Sequence, residues 1–205
     1  MKLYTFAGAP NPRRVHIYLA EKGITVPFES VDIMKRANRT PEFIEKRNVM
    51  GGLPVLELDD GSHIAESVAI CRYFEATQPE PPLFGRSPKE QAIIEMWIRR
   101  IELNFMLPVG MVWVHGSPLT KSVIKHQIAE VAEQNREIVE RYLGFLDGQL
   151  ATRAHIAGDD FTMADIMAVT TLDFATRLNR FELAPGQRHL ADWYARVCAR
   201  PSISA

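Results

Sequence analysis

The residues best placed to bind a peptide surround a proline at the start of an apolar run. Leu53-Pro54-Val55 follows Gly51 and Gly52. Proline is tolerated at the first position of a strand because it has no N–H to donate, so strand entry alone would explain this pattern. A cis Leu53–Pro54 bond would in addition turn the N–H and C=O of Leu53 outward, where an extended peptide could pair with them as an added strand.

Glu66 and Ser67 form a second candidate, at the point where a helical pattern begins. Serine and glutamate at a helix N-terminus serve the helix itself, by capping its first N–H groups and opposing its macrodipole. The same position also binds anions. Ser67 and its N–H could hold a carboxylate while Glu66 pairs with an adjacent ammonium group.

Together these motifs resemble a known family. Residues 53–67, LPVLELDDGSHIAES, look like the glutathione-binding half of the cytosolic glutathione transferases. The resemblance implies a cis-Pro54, backbone pairing of glutathione at Leu53, and recognition of its γ-glutamyl group by Glu66 and Ser67. It further implies transfer of glutathione, as co-substrate with no other cofactor, to a small apolar electrophile by a homodimer.

The turn that usually activates the thiol lacks its usual residue. The family has Tyr, Ser or Cys just after the first strand, whereas residues 7–14 read AGAPNPRR, with Ala9 at the usual serine position. Lowering a thiol pKa from about 8.5 by about 2 units needs roughly 2.7 kcal/mol of thiolate stabilisation. Asn11 could donate to the thiolate, or could cap the first helix with Pro12 at its first position. Tyr4 is expected to be a sheet residue.

Two further resemblances suggest how the thiol is handled. APNP resembles the turn of bacterial members that reduce disulfides with glutathione, although Ala9 replaces their threonine. EMWIRRIE and PVGMVWVHGSP resemble a fungal and bacterial subgroup that lacks the usual residue and uses a held water. His115 and Ser117 fall where that subgroup positions the water, but ordinary helix termination would also account for them. Transferase, disulfide reductase and glutathione-binding protein without transferase activity therefore remain alternatives.

The glycyl end of glutathione needs a cation. Family positions that often carry histidine or lysine are Asn38 and Gly51 here. Arg39 or Arg13 is therefore predicted to hold the glycyl carboxylate, although arginines on short surface helices are usually solvated.

The elements that position these residues fall into two halves. Residues 1–77 predict a βαβαββα thioredoxin-like domain, with strands at 2–6 and 28–33 and a hairpin turning at Asp-Asp-Gly-Ser. Residues 78–87 are rich in Pro and Gly and predict a linker; residues 88–205 predict an all-helical domain that forms the electrophile pocket. Its helices are expected at 89–114, 119–150, 163–178 and 189–199. Thr162 and Asp165 have the spacing of a capping box, as in the conserved folding element of the family.

Composition excludes several classes of protein. The 24 basic and 25 acidic residues are interspersed and give a net charge of −1, which disfavours nucleic acid as a partner. No run approaches the roughly 20 apolar residues of a membrane span. Cys71 and Cys198 lack metal-ligand spacing, which predicts no metal site and reduced thiols in the cytoplasm.

Overall fold

A computed structural model describes residues 1–204. The chain divides into two compact units, residues 1–83 together with 201–204, and residues 84–200. The division falls within residues 78–87, where the sequence indicates a linker. Residues 201–204 belong to the first unit, whereas the sequence pattern predicts that they are part of the helical domain. Ala205, which is included in that prediction, lies outside the described residues.

The first unit has a four-stranded sheet. Its strands are β1 (Lys2–Thr5), β2 (Phe28–Ser30), β3 (Val55–Glu57) and β4 (His63–Ala65). They lie in the order β2-β1-β3-β4, with β1 and β2 parallel and the other pairs antiparallel. The helices are α1 (Pro10–Lys22), α2 (Pro41–Lys46) and α3 (Ser67–Thr77), and Ala37–Arg39 forms a 3₁₀ turn. The predicted thioredoxin-like βαβαββα order is confirmed.

Strand β2 ends three residues before the predicted position 33. Asp32 explains the early end, because its Oδ1 accepts hydrogen bonds from the backbone N–H groups of Met34 and Lys35, at 2.9 and 3.2 Å. Such an aspartate-centred turn offers the backbone an alternative to the sheet ladder.

The two faces of the sheet are covered differently. Helices α1 and α3 pack together on one side, where Lys22 Nζ lies 2.5 Å from Glu75 Oε2 and Tyr18 donates to the same oxygen. Burial, reinforced by that carboxylate, raises the pKa of Tyr18. A second cluster comprises Tyr4, Val31, Phe43 and Val55. Tyr4 is buried in β1 and donates to Glu57 Oε2 at 2.6 Å, so its prediction as a sheet residue is confirmed.

Helix α1 begins two residues earlier than Asn11 capping would require. Its N-cap is Ala9, in extended conformation and without a side-chain cap, and Pro10 occupies the first helical position. The prediction that Asn11 caps this helix with Pro12 behind it is therefore wrong. Proline explains the shift, since Pro10 confines Ala9 to extended backbone and suits the first helical position itself.

The second unit is helical. Its helices are α4 (Pro88–Ile101), α5 (Leu107–Gly116), α6 (Ala129–Leu150), α7 (Met163–Asn179) and α8 (Arg188–Cys198), and Pro118–Thr120 forms a 3₁₀ turn. A further 3₁₀ turn, Pro201–Ser204, belongs to the first unit. Helix α7 is buried on nearly all sides and is therefore the centre of this core. Its start carries the predicted capping box of Thr162 and Asp165, which is confirmed.

The predicted long helix at 89–114 is interrupted. Residues Glu102–Met106 form a π-helical turn between α4 and α5. Pro108 accounts for this interruption, because proline lacks an N–H and its ring crowds the carbonyl four residues earlier, at Asn104 within the π turn.

The predicted helix at 119–150 starts ten residues late, at Ala129. Side chains occupy the backbone groups that a helix would use. Thr120 Oγ1 lies 3.0 Å from the carbonyl oxygen of Val114, and Gln127 Nε2 donates to the carbonyl of Ser117 at 2.7 Å. These bonds hold residues 117–128, called here the α5–α6 loop, against the end of α5.

The two thiols are expected to differ in reactivity. Cys71 is fully buried, which raises the pKa of its thiol, whereas Cys198 is exposed. We expect one thiol to react rapidly with a disulfide dye such as Ellman's reagent in the native protein, and two in denaturant. Cys198→Ser should abolish the rapid phase and Cys71→Ser should leave it intact. Rapid reaction of both native thiols would contradict the burial of Cys71.

Candidate functional site

The loop before β3 leaves peptide groups available beside the sheet. The Leu53–Pro54 bond is cis in the structure. Among residues 1–204, the N–H and C=O of Leu53 have no hydrogen-bond partner, whereas the preceding Gly52 carbonyl accepts from Asn48 Nδ2 at 3.0 Å. Leu53 therefore retains both groups that an extended peptide would need for pairing.

Glu66 stands at the start of α3 in a strained conformation. Its φ of 66° and ψ of 118° lie in a region that non-glycine residues rarely adopt, at a cost of about 1–3 kcal/mol. Its side chain is exposed and does not cap α3. The sequence left open a purely capping role for Glu66 and Ser67, and the structure does not support that role. Residues held in such backbone geometry cluster at ligand sites.

Ser67 follows as the first residue of α3 and is buried. Its Oγ accepts a hydrogen bond from Arg14 Nη1 at 2.8 Å. Because the oxygen is held as an acceptor, the hydroxyl hydrogen remains available to donate to an anion. Arg14 also brings a positive charge to the uncapped N-terminus of α3, where anions are favoured.

Arg14 is not among the site residues predicted from the sequence. The residue is only 2% exposed, so it is a buried cation between α1 and α3. The signal was an arginine on the apolar face of α1, since Val15 and Tyr18 on this helix are buried too. A charged residue among buried positions is rare unless it has partners.

The positions considered for the glycyl end contact one another. Asn38 Nδ2 donates to the Gly51 carbonyl at 2.6 Å, and Arg39 Nη1 donates to the Met50 carbonyl at 2.8 Å. Gly51 has a φ of +60°, and a Cβ there would lie 2.8 Å from the carbonyl oxygen of Asn38, so only glycine fits. Arg39 is exposed beside the loop that leads to Leu53.

Arg13 takes another direction. Its Nη2 donates to the carbonyl of Ile203 at 3.2 Å, and Glu21, two turns further along α1, contacts Ser202. Arg13 thus ties α1 to the C-terminal residues of its own unit. Of the two arginines predicted for a carboxylate, Arg39 is the one placed beside the Gly51 loop.

Asn11 lies in the first turn of α1. Its side chain does not cap this helix, and its Oδ1, which can only accept, is buried without a hydrogen-bond partner among residues 1–204. A buried amide in this position is costly unless something else engages it.

His115 and Ser117 belong to the second unit, at the end of α5. Ser117 Oγ accepts from the N–H of Leu119 at 3.2 Å and caps the 3₁₀ turn that follows, as its structural interpretation predicted. His115 Nδ1 accepts from the N–H of Ile128 at 3.3 Å, which leaves Nε2 to face other groups. Trp113 on α5 and Phe174 on α7 are both partly buried. Their rings form an edge-to-face pair whose centroids are 5.6 Å apart.

Two observations limit other kinds of site. No helix among residues 1–204 is long and apolar enough to cross a membrane. In the same part of the chain, no three His, Cys, Asp or Glu side chains gather as potential metal ligands.

Comparison with known proteins identifies the class. A model described as "Glutathione S-transferase, N-terminal domain" matches residues 3–82, and one described as "Glutathione S-transferase, C-terminal domain" matches residues 107–201. The chain belongs to the glutathione S-transferase family.

Particular relatives are similar along the whole chain. "Glutathione S-transferase 2" of Saccharomyces cerevisiae is 36% identical over 99% of this chain and 88% of its own length. The crystal structure of Gtt2 from the same yeast has a TM-score of 0.93, with 36% identity over 100% of this chain and 99% of that one. A glutathione S-transferase domain-containing protein of Marinobacter aquaeolei VT8 also reaches a TM-score of 0.93, with 41% identity over 99% of this chain and 100% of that one. The resemblance to a fungal and bacterial subgroup is thereby confirmed.

Proposed function

We propose that this protein is a glutathione transferase, which presents the thiolate of glutathione to a small apolar electrophile. The start of α3 carries the proposal. Glu66 keeps a strained backbone there, and Ser67 is oriented by a buried arginine, although neither feature is needed to begin a helix. An α-amino acid head group matches this arrangement, with its carboxylate at Ser67 and its ammonium at Glu66.

With the head group at Glu66 and Ser67, the cysteinyl and glycyl residues of glutathione extend toward Leu53 and Arg39. The cysteinyl residue pairs through its backbone with Leu53, whose N–H and C=O have no hydrogen-bond partner among residues 1–204. The glycyl carboxylate binds Arg39, which is exposed beside the Gly51 loop, whereas Arg13 is engaged by the C-terminal residues. Glutathione is then a co-substrate held by three separate contacts, and no further cofactor is needed.

Thiolate stabilisation uses groups other than a side-chain hydroxyl of the first turn. Ala9 has no hydroxyl, so the uncapped N-terminus of α1 and the Nδ2 group of Asn11 supply part of the stabilisation. The resemblance to the subgroup that uses a held water assigns the rest to a water positioned by His115 and Ser117. Each such hydrogen bond to a charged sulfur contributes about 1.5–3 kcal/mol, so two suffice for the roughly 2.7 kcal/mol required.

The electrophile is expected to be apolar. Trp113 and Phe174 offer partly buried aromatic surface, and Met111 on α5 is partly buried too. Sites for apolar ligands are lined by such side chains with few polar groups. Homodimerisation, a cytoplasmic location and a role in detoxification are parts of this proposal that rest on the family.

Conjugation of glutathione to a chloronitrobenzene tests the function. The wild-type protein should turn over this substrate, and Asn11→Ala should lower kcat by about ten- to a hundredfold, because one donor to sulfur is lost. Asn135→Ala, which removes an amide on α6, is the matched control and should leave the rate unchanged.

Three results would contradict the proposal or part of it. An unchanged kcat in Asn11→Ala would remove Asn11 from thiol activation. Reduction of hydroxyethyl disulfide far faster than conjugation would identify a disulfide reductase instead. Binding of glutathione without turnover of any electrophile would identify a binding protein.

A further inference from the structure

Side-chain hydrogen bonds hold the α5–α6 loop together and against the end of α5. At its start, Ser117 Oγ accepts from the N–H of Leu119. At its end, Gln127 Nε2 donates to the carbonyls of Val114 and Ser117, at 3.1 and 2.7 Å. The end of this twelve-residue segment therefore lies against the last turn of α5, where the Trp113 carbonyl already accepts from the N–H of Ser117.

Thr120 is the centre of this closure. It is only 7% exposed, and its Oγ1 lies 3.0 Å from the carbonyl oxygens of Trp113 and Val114 and 2.9 Å from that of Ser117. The same oxygen accepts from Gln127 Nε2 at 2.9 Å. Thr120 and Gln127 together are called here the clasp. A hydroxyl donates one hydrogen and an amide two, and one amide hydrogen goes to Thr120 Oγ1, so the clasp supplies two donors to the carbonyls at the C-terminus of α5.

Closure of the loop also fixes the ring of His115. It places the N–H of Ile128 3.3 Å from His115 Nδ1, which must accept and therefore carries no proton. A neutral imidazole that accepts at Nδ1 bears its hydrogen on Nε2. We propose that the clasp of Thr120 and Gln127 holds His115 in the Nε2–H form, which makes both clasp residues positioning residues for His115.

This assignment deepens the proposed function, on which its catalytic meaning rests. An Nε2–H group donates to a water, and that water keeps both of its own hydrogens for another acceptor. In the proposed function that acceptor is the thiolate, and the proton of the thiol leaves to solvent. The clasp contacts neither glutathione nor electrophile; it acts only through the orientation of the imidazole.

Nuclear magnetic resonance of the histidine rings tests the clasp directly. In ¹⁵N-labelled wild-type protein at alkaline pH, His115, assigned by comparison with His115→Ala, should show a protonated Nε2 and an unprotonated Nδ1. Gln127→Leu and Thr120→Val, which keep size but remove donors, should each give a mixture of the two tautomers. Thr120→Ser keeps the hydroxyl and should retain the wild-type pattern, as should Gln134→Leu on the exposed face of α6.

Kinetics supply the second readout. Gln127→Leu and Thr120→Val should lower kcat for conjugation by about ten- to a hundredfold, with KM for glutathione unchanged within about twofold. The double variant His115→Ala with Gln127→Leu should be no slower than His115→Ala alone, since the clasp acts through that ring.

The outcomes distinguish the clasp from the proposed role of His115 in thiol activation. Unchanged His115 signals in both Gln127→Leu and Thr120→Val, with circular dichroism confirming folded protein, would overturn the clasp. A tautomer mixture in those variants combined with a wild-type rate in His115→Ala would support the clasp and overturn the proposed role of His115 in thiol activation.

Discussion

Replacement of Asp165 by alanine is expected to lower the free energy of unfolding by about 3–5 kcal/mol. Asp165 is fully buried at the start of α7. Its Oδ1 accepts from the N–H of Ile156 at 3.0 Å and from Trp193 Nε1 at 2.9 Å, and its Oδ2 accepts from the N–H of Thr162 at 3.0 Å. Alanine would leave three buried donors without a partner. Urea denaturation followed by tryptophan fluorescence measures the change.

The matched control is Asp160→Ala, which removes an exposed carboxylate five residues earlier and should change stability by less than about 0.5 kcal/mol. Asp165→Asn should fall between the two, because an amide still accepts but brings two donors into a site built for an acceptor. A loss below about 1 kcal/mol in Asp165→Ala would show that water or relaxation satisfies these donors. The capping box would then be a local feature without a wider role.

Asp165 illustrates what spacing can and cannot predict. The separation of Thr162 and Asp165 indicated a capping box, since that motif depends only on neighbours in sequence. The bond to Trp193, 28 residues later, depends on how α7 and α8 pack and has no sequence signature. The side chain that caps α7 is therefore also a link to α8, which raises the expected cost of its loss.

The fold was predictable because its elements follow hydrophobic periodicity. The order of strands and helices in residues 1–77 came from alternation and helical spacing alone. Two of the errors arose at prolines, at the start of α1 and within the predicted helix at 89–114, and two arose where polar side chains replaced backbone partners. Asp32 ends β2, and Thr120 and Gln127 keep residues 117–128 out of α6. Helical periodicity continued through that loop, so the pattern gave no warning.

The candidate site was predictable only in part. Pro54, Glu66 and Ser67 were found because they lie within one continuous motif. Arg14 was not found, since its contact with Ser67 joins α1 to α3 across 53 residues. The strain at Glu66 was equally hidden, because nothing in a glutamate indicates a positive φ.

Replacement of Ser67 by alanine is expected to raise the Kd for glutathione by about ten- to a hundredfold. In the proposed binding mode, the change removes one hydrogen bond to the γ-glutamyl carboxylate, worth about 1.5–3 kcal/mol for a charged acceptor. It also leaves Arg14 Nη1 without the hydroxyl to which it donates. The position is sensitive because the ligand carboxylate, the helix N-terminus and this buried cation converge there. Isothermal titration calorimetry with glutathione measures the effect.

Ser67→Thr preserves a hydroxyl and should recover much of the affinity, whereas Ser62→Ala, on the exposed hairpin between β3 and β4, should change nothing. Cysteinylglycine lacks the γ-glutamyl group, so it should bind wild type and Ser67→Ala equally weakly. That comparison distinguishes the loss of the γ-glutamyl contact from a general disruption of the fold of the first unit. A Kd for glutathione within about twofold of wild type in Ser67→Ala would place the carboxylate elsewhere, because a contact worth less than about 0.4 kcal/mol cannot be its main anchor.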